Sequence, residues 1–150
     1  MASNLDGILD ALQAMTITGY SYTVLRGATL KNVIDIATTP CRIISAIGVQ
    51  SSRTQRQTYG GGSVMRTEWT IQDVALIRPA SLGIGLMDIA PTIEGYLAAY
   101  HEAIRSAFAG NSAWIITDIA LRSQVLEWPA ASGNFFDAVV ATLTVADIIQ

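Results

Sequence analysis

The stretch from Phe135 to about Ile148 constrains this chain most, because as an extended strand it is apolar on both faces. Side chains alternate along a strand, so Phe135, Val139, Leu143 and Val145 fall on one side and Phe136, Ala138, Val140 and Ile148 on the other. Such a strand is stable only inside a sheet that is covered above and below. The rest of the chain must therefore supply neighbours for its edges and layers for its faces.

The other segments fit that requirement. Ser3 or Asn4 can cap a first helix running to about Met15, with Leu5, Ile8, Leu9 and Leu12 on one face and Gly19 as the stop. Tyr20 to Ile36 contains one or two short extended segments, interrupted at Gly27. Pro40 opens a strand that places Cys41, Ile43, Ser45, Ile47 and Val49 on one face. Gln50 to Ser63 is polar and ends in Gly60-Gly61-Gly62, as a loop or the tip of a long hairpin would. A second strand runs from about Val64 to Ile77, alternating Met65, Thr67, Trp69 and Ile71 with Arg66, Glu68, Thr70 and Gln72.

After a small-residue turn from Pro79 to Leu86, Asp88 is placed as an N-cap and Pro91 in a first helical turn. Ile89, Ile93, Leu97, Tyr100, Ile104 and Phe108 then form a helical stripe that Gly110-Asn111 ends. A strand from about Ala113 to Glu127 follows, with Ile115, Thr117, Ile119, Leu121 and Val125 inward, and a turn from Pro129 to Asn134 leads into the final strand. The expectation is one α+β domain over 1–150, in the order α–β–β–α–β–β. Its sheet is mixed and mainly antiparallel, flanked by two helices.

Two of these strands run to about 14 residues, or ~45 Å, which a domain this small cannot cover alone. Charged residues are 14% of the chain, against about 25% in ordinary domains, and hydrophobic residues are 51%. Nine cations and twelve anions are few for the roughly 7,400 Å² that a domain of this size exposes. Lys31 is the only lysine, so the cationic surface is nearly all arginine, which suits paired contacts across interfaces. A small, alanine-rich monomer would explain these numbers in part. An assembly whose copies shield one another explains them together with the long strands.

The net charge of −3 argues against general nucleic-acid binding. The opening residues lack the basic and apolar regions of a secretory signal, and no uncharged apolar stretch reaches the roughly 18 residues of a membrane span. Cys41 is the single cysteine and His101 the single histidine, with no metal spacing between them and no oriented third group. A His101–Cys41 pair would require the helix to pack on the Cys41 side of its strand. The Gly60-Gly61-Gly62-Ser63 run lacks the Lys-Ser/Thr and the helix of a phosphate loop, and Gly83-x-Gly85 lacks the third glycine of a dinucleotide turn. No catalytic, cofactor or metal residue is assigned.

Arg53, Arg56 and Arg66, with Tyr59 between them, form the one basic concentration; they serve either a solvated loop or contact with an acidic partner surface or with DNA passing nearby. Asp118 and Asp137 lie among apolar neighbours, where Arg122 or Arg105 can pair with them. Trp69, Trp114 and Trp128 lie on or near long strands, as core residues first and interface anchors second.

Three local features accompany the element order. They are the Thr38-Thr39-Pro40 lead into Cys41-Arg42-Ile43-Ile44-Ser45, the Arg/Gly loop feeding Arg66-Thr67-Glu68-Trp69-Thr70-Ile71, and the closing Gly133-Asn134-Phe135-Phe136 followed by Val139 to Val145. Together they resemble the tail terminator proteins of long-tailed bacteriophages. The resemblance implies a structural virion protein without a cofactor, assembled in the host cytoplasm. Six copies would form a ring on the tail tube protein, stop its polymerisation and meet the head-side connector, while DNA passes through unread. Tail-completion and connector proteins share much of this build. A small-ligand-binding domain or enzyme, with a pocket lined by His101 and tyrosines, is the alternative of another class. On the ring reading, Arg53, Arg56, Tyr59, Arg66, Trp69, Trp114 and Trp128 are the candidate interface residues.

Overall fold

The computed structural model describes residues 5–26, 40–55, 63–80, 86–109, 114–128 and 133–149, without the side chains of 51–55, 63–65, 86–87 and 148–149. The elements are α1 (Leu5–Ala14), β1 (Thr23–Arg26), β2 (Cys41–Gln55), β3 (Ser63–Pro79), α2 (Leu86–Phe108), β4 (Trp114–Glu127) and β5 (Phe135–Ile149). The five strands form one sheet in the order β1-β2-β3-β5-β4. β1 pairs with β2 in parallel, and every other pair is antiparallel. The domain is α+β with two helices, as the residue pattern predicts; the short β1 and its parallel pairing add a strand to the expected order.

β5 sits between β3 and β4 and is buried on both faces. Val139, Ala141, Leu143 and Val145 join the larger core with Ile8 and Leu12 of α1, Ile44, Ile71 and Ala75 of the sheet, and Ile89, Ile93, Tyr96 and Tyr100 of α2. Phe136, Ala138 and Val140 face the other way and pack with Cys41, Ile43, Val74 and Leu76, bordered by Leu25, Leu126 and Trp128. The helical stripe holds in α2 with one exchange: Tyr96 is buried where the spacing had favoured Leu97, which is only half-buried. α2 also begins before Asp88, so Asp88 lies inside its first turn. The proposed caps Ser3 and Asn4 lie outside the described residues, while Gly19 takes φ +87° at the third position of the turn closed by Tyr20 N–H donating to the Ile17 carbonyl.

β2 and β3 are 15 and 17 residues long and pair from Cys41–Leu76 out to Gln55–Ser63, so of the two readings of the polar stretch, loop or tip of a long hairpin, the described residues follow the hairpin. Two bulges correct the expected faces. The ladder of β2 on β3 shifts between Ala46 and Gly48, which moves Val49 onto the helix-side face opposite Trp69 and away from the Cys41 face. The ladder of β4 on β5 shifts between Ile116 and Asp118. Ile119 and Leu121 accordingly pack against the helix-side core as expected, but Ile115 pairs with Ala146 on the opposite face and is 52% exposed.

Two arginines, Arg78 and Arg26, fasten elements to one another at the margins of the core. Arg78 of β3 donates to Asp137 of β5 at 2.8 Å and to Asp88 of α2 at 2.7 Å. This replaces the expected pairing of Asp137 with Arg122 or Arg105; Arg105 instead pairs with Glu102 on its own helix, and Asp118 and Arg122 are exposed. Arg26 of β1 pairs with Asp10 of α1 and donates to Gln13 at 3.1 Å.

Because Leu143 is fully buried on the central strand, Leu143→Ala is expected to cost about 2–5 kcal/mol in urea unfolding, whereas Val125→Ala, 61% exposed, stays within about 0.5 kcal/mol. Burial also pushes the Cys41 thiol from 9.0 up to about 11. The unfolded chain then releases this proton before the folded one does, so stability falls as pH rises between 9 and 11. Cys41→Ala is expected to flatten that part of the pH profile, read from urea midpoints across it.

Candidate functional site

Two features stand out beyond the plain core: a buried charged cluster beside a tyrosine-lined cleft, and the two free edges of the sheet. The cluster is centred on Arg42 and Asp73, neighbours across β2 and β3 on the helix-side face. Arg42 is 2% exposed and the Asp73 carboxylate is fully buried. The guanidinium donates through Nε to Asp73 Oδ1 at 3.2 Å, through a terminal nitrogen to Asp73 Oδ2, and to the Leu12 carbonyl at the end of α1 at 3.3 Å. Tyr100 Oη donates to Asp73 Oδ2 at 2.8 Å, and its ring lies under the guanidinium, 5.9 Å from ring centre to Cζ. One ion pair therefore joins β2, β3 and both helices. Burial alone would lower the Arg42 pKa, but the Asp73 carboxylate outweighs it and the net displacement is upward.

Tyr20, Tyr22 and Tyr96 extend the cluster. Tyr22 stacks on Tyr96 at 5.6 Å, and Tyr20 meets Tyr96 edge-on at 5.4 Å. Tyr20 Oη donates to the Thr92 carbonyl at 3.3 Å and occupies the space a side chain at Gly95 would need, so this glycine of α2 admits the tyrosine. A cleft of about 280 Å³ opens here, lined among others by Gln13, Thr16, Tyr20, Tyr22 and Arg42. Burial, and then the neighbouring Tyr20, push Tyr22 up to about 12; burial, first among the causes, raises Tyr96 and Tyr100 as well. Near neutral pH the cleft thus presents the protonated Tyr22 phenol and a guanidinium already engaged by Asp73. His101 does not line it and is exposed on α2. The helix packs on the Arg42 side of β2, and Cys41 points to the opposite layer, so the two residues do not meet. Among the described residues no cluster of potential metal ligands forms, and no helix is long and apolar enough to cross a membrane.

The candidate interface residues fall in different environments. Arg53 lies near the end of β2, in register with Met65; Arg56 and Tyr59 lie outside the described residues. Arg66 is exposed and pairs with Glu68 two positions along β3 at 2.6 Å. Trp69 and Trp114 are half-buried against the helix-side core, each with a buried indole N–H that has no acceptor among the described residues. Trp114 lies close against Gly7 of α1, where an added Cβ would meet the indole ring at 3.0 Å. Trp128 borders the second core cluster.

The sheet edges carry the signal that the tryptophans do not. Among the described residues β1 covers its side of β2 only from Cys41 to Ile44, β2 pairs with β3 alone beyond that, and β4 pairs with β5 alone. Among the described residues five large hydrophobic side chains are exposed: Ile47, Val49, Ile115, Val125 and Phe135. Four of them lie on these two edges. Alternation alone misplaces Val49 and Ile115, because one bulge on each strand reverses the face; Gly48 in the middle of a strand is the local sign of the first.

Neither a family model nor a curated protein matches the chain. The buried cluster yields a direct test. Asp73→Ala leaves the Arg42 charge buried without a counter-ion and is expected to cost about 3–5 kcal/mol in chemical denaturation. Tyr100→Phe removes one hydrogen bond of the same cluster and is expected to cost about 1–2 kcal/mol.

Proposed function

We propose that this chain is a structural subunit of a homo-oligomeric ring of the tail-terminator kind. In this reading it caps the tube of a long-tailed bacteriophage, ends its polymerisation and provides the seat for the head-side connector. The observation that carries the reading is the apolar exposure at both sheet edges. Ile47 and Val49 are 54% and 60% exposed on one edge, Ile115 and Val125 are 52% and 61% exposed on the other, and the chain has only 14% charged residues. A monomer that leaves two bare edges with apolar side chains on them invites edge-to-edge association. A contact between two different patches, repeated around an axis, closes a ring that presents two unlike faces. Two unlike faces are what a terminator needs, one for the tube and one for the connector.

The finer assignment rests on the resemblance in element order and local sequence, which also supplies the expected six copies and the passage of DNA without specific contact. Tail-completion and connector proteins use the same physical logic and differ in which partner meets each face. The ligand-binding or enzymatic alternative invoked a pocket lined by His101 and tyrosines; Tyr20 and Tyr22 line a cleft, and His101 is not among its lining residues.

The test is to add the purified chain to polymerising tube protein and to image the products. Rings seated on tube ends, with the tubes arrested in growth, are expected. A chain that neither forms rings nor binds tube ends at any concentration would overturn the proposal. Arg53→Glu with Arg56→Glu is expected to leave unfolding free energy within about 0.5 kcal/mol of the parent while abolishing the joining of tails to heads, counted by electron microscopy.

A further inference from the structure

β4 forms the rim of the sheet opposite β1, and among the described residues β5 is its one partner strand. From Trp114 to Leu126 it holds no lysine or proline, the usual guards of an exposed edge. It holds two charges there, Asp118 and Arg122, both exposed. Neither makes an ion pair among the described residues. Their ladder positions, level with Thr144 and Val140 of β5, put both on the Cys41 face of the sheet. Ala120 lies midway between them on the same face.

A charge on an edge strand deters pairing unless the incoming strand brings the opposite charge to the same level. A second copy of β4, laid antiparallel with its Ala120 opposite the first, does so twice. Asp118 of each copy then stands across from Arg122 of the other, and the small Ala120 side chains leave room for both pairs. No other twofold register matches the charges. Moving the axis to Ile119 or Leu121 sets each charge against an uncharged residue, and moving it to Asp118 or Arg122 sets like charges together.

The same register covers the exposed apolar side chains. On the helix-side face Ile119 of each copy meets Leu121 of the other. Thr117 is the extra residue where the ladder shifts between Ile116 and Asp118, so Trp114 comes level with the second copy's Val125. Val125 is 61% exposed in the single chain, and Trp114 lines a groove of about 330 Å³ with Ile104, Phe108 and Ile116 among others. On the other face Ile115, 52% exposed, lies level with the second copy's Gln124 and diagonal to its Leu126.

We propose that two copies of this chain pair through β4, antiparallel about a twofold axis at Ala120, with Asp118 of each copy facing Arg122 of the other. The occupant of this edge is a second copy. A twofold contact joins identical patches and closes at two subunits, so it goes beyond the ring reading and is not the ring's own contact. On that reading the dimer is the form the chain takes away from the tube, and a ring contact between unlike patches replaces it.

The experiment is a charge swap in the full chain without tube protein, with mass measured in solution across a range of concentrations. The parent is expected to be a dimer. Asp118→Arg and Arg122→Asp each set like charges together twice, and each alone is expected to raise the concentration for half-dimerisation at least about tenfold. Their equimolar mixture, and the doubly exchanged chain, restore opposite charges at every pair and are expected to regain the parent's dimer. Circular dichroism confirms that the variants fold; Val125→Lys, at a site exposed on the same edge, replaces either one that does not and is expected to weaken the dimer likewise. A dimer unchanged in the single variants, or a mixture no tighter than its components, would overturn the pairing. A parent chain that is monomeric alone yet forms rings on tube ends would overturn this inference and leave the ring reading standing. A parent that dimerises with the predicted charge dependence but never engages tube ends would do the reverse.

Discussion

β5 makes the strongest demand in this structure. A strand with apolar side chains on both faces must be sandwiched, and a strand in the middle of a sheet must have a partner along each edge. The helices meet the first requirement on one side, through Ile8 and Leu12 of α1 and Ile93, Tyr96 and Tyr100 of α2. β3 and β4 meet the second. Meeting it with strands as long as β5 moves the difficulty outward, because β4 then stands at the rim of the sheet, its outer edge unpaired among the described residues. The same arrangement that buries the central strand thus leaves β4 with one partner strand among the described residues, which is the feature the ring proposal builds on.

Arg42 and Asp73 stand apart from the rest of the helix-side layer as a pair of charges inside an apolar core. Placing two ions there carries a desolvation cost of several kcal/mol each, and their attraction repays it only with good geometry and satisfied remaining donors. Here Tyr100 and the Leu12 carbonyl provide that satisfaction. The cluster requires both helices to sit at defined positions over the sheet, since each contributes one partner. A core of aliphatic side chains would bury as much area and would tolerate sliding; this one fixes the alignment of α1 and α2, and with them the walls of the tyrosine cleft and the place of Trp114 against Gly7.

Much of this was legible in the sequence. The two-faced pattern of Phe135 onward placed β5 centrally, and the stripe from Ile89 to Phe108 located α2, because both patterns are long and each residue reports the same period. The polar residues between Gln50 and Ser63 left a loop and the tip of a long hairpin both open, since a strand beyond the core needs no apolar alternation. Parity failed at Val49 and Ile115 for a single geometric reason: one bulge residue inverts every face beyond it. β1, four residues long, is too short for a period to register, and its parallel pairing depends on tertiary contact. The ion pairs Arg78–Asp137 and Arg42–Asp73 join residues far apart in sequence, and nothing local announces them.

A low charge content, strands of 14 to 17 residues, and apolar side chains on opposite rims all follow if, as proposed, copies of the domain cover one another's edges. Hydrogen exchange along β4 tests that idea most directly. Alternate amides of β4 bond β5, and those between them point outward to the free edge. The account predicts that the outward amides exchange slowly in the assembled chain and quickly once it is diluted to monomer, while β5 stays protected in both. Outward amides that exchange at the same fast rate at every concentration, in the presence of tube protein as in its absence, would contradict it.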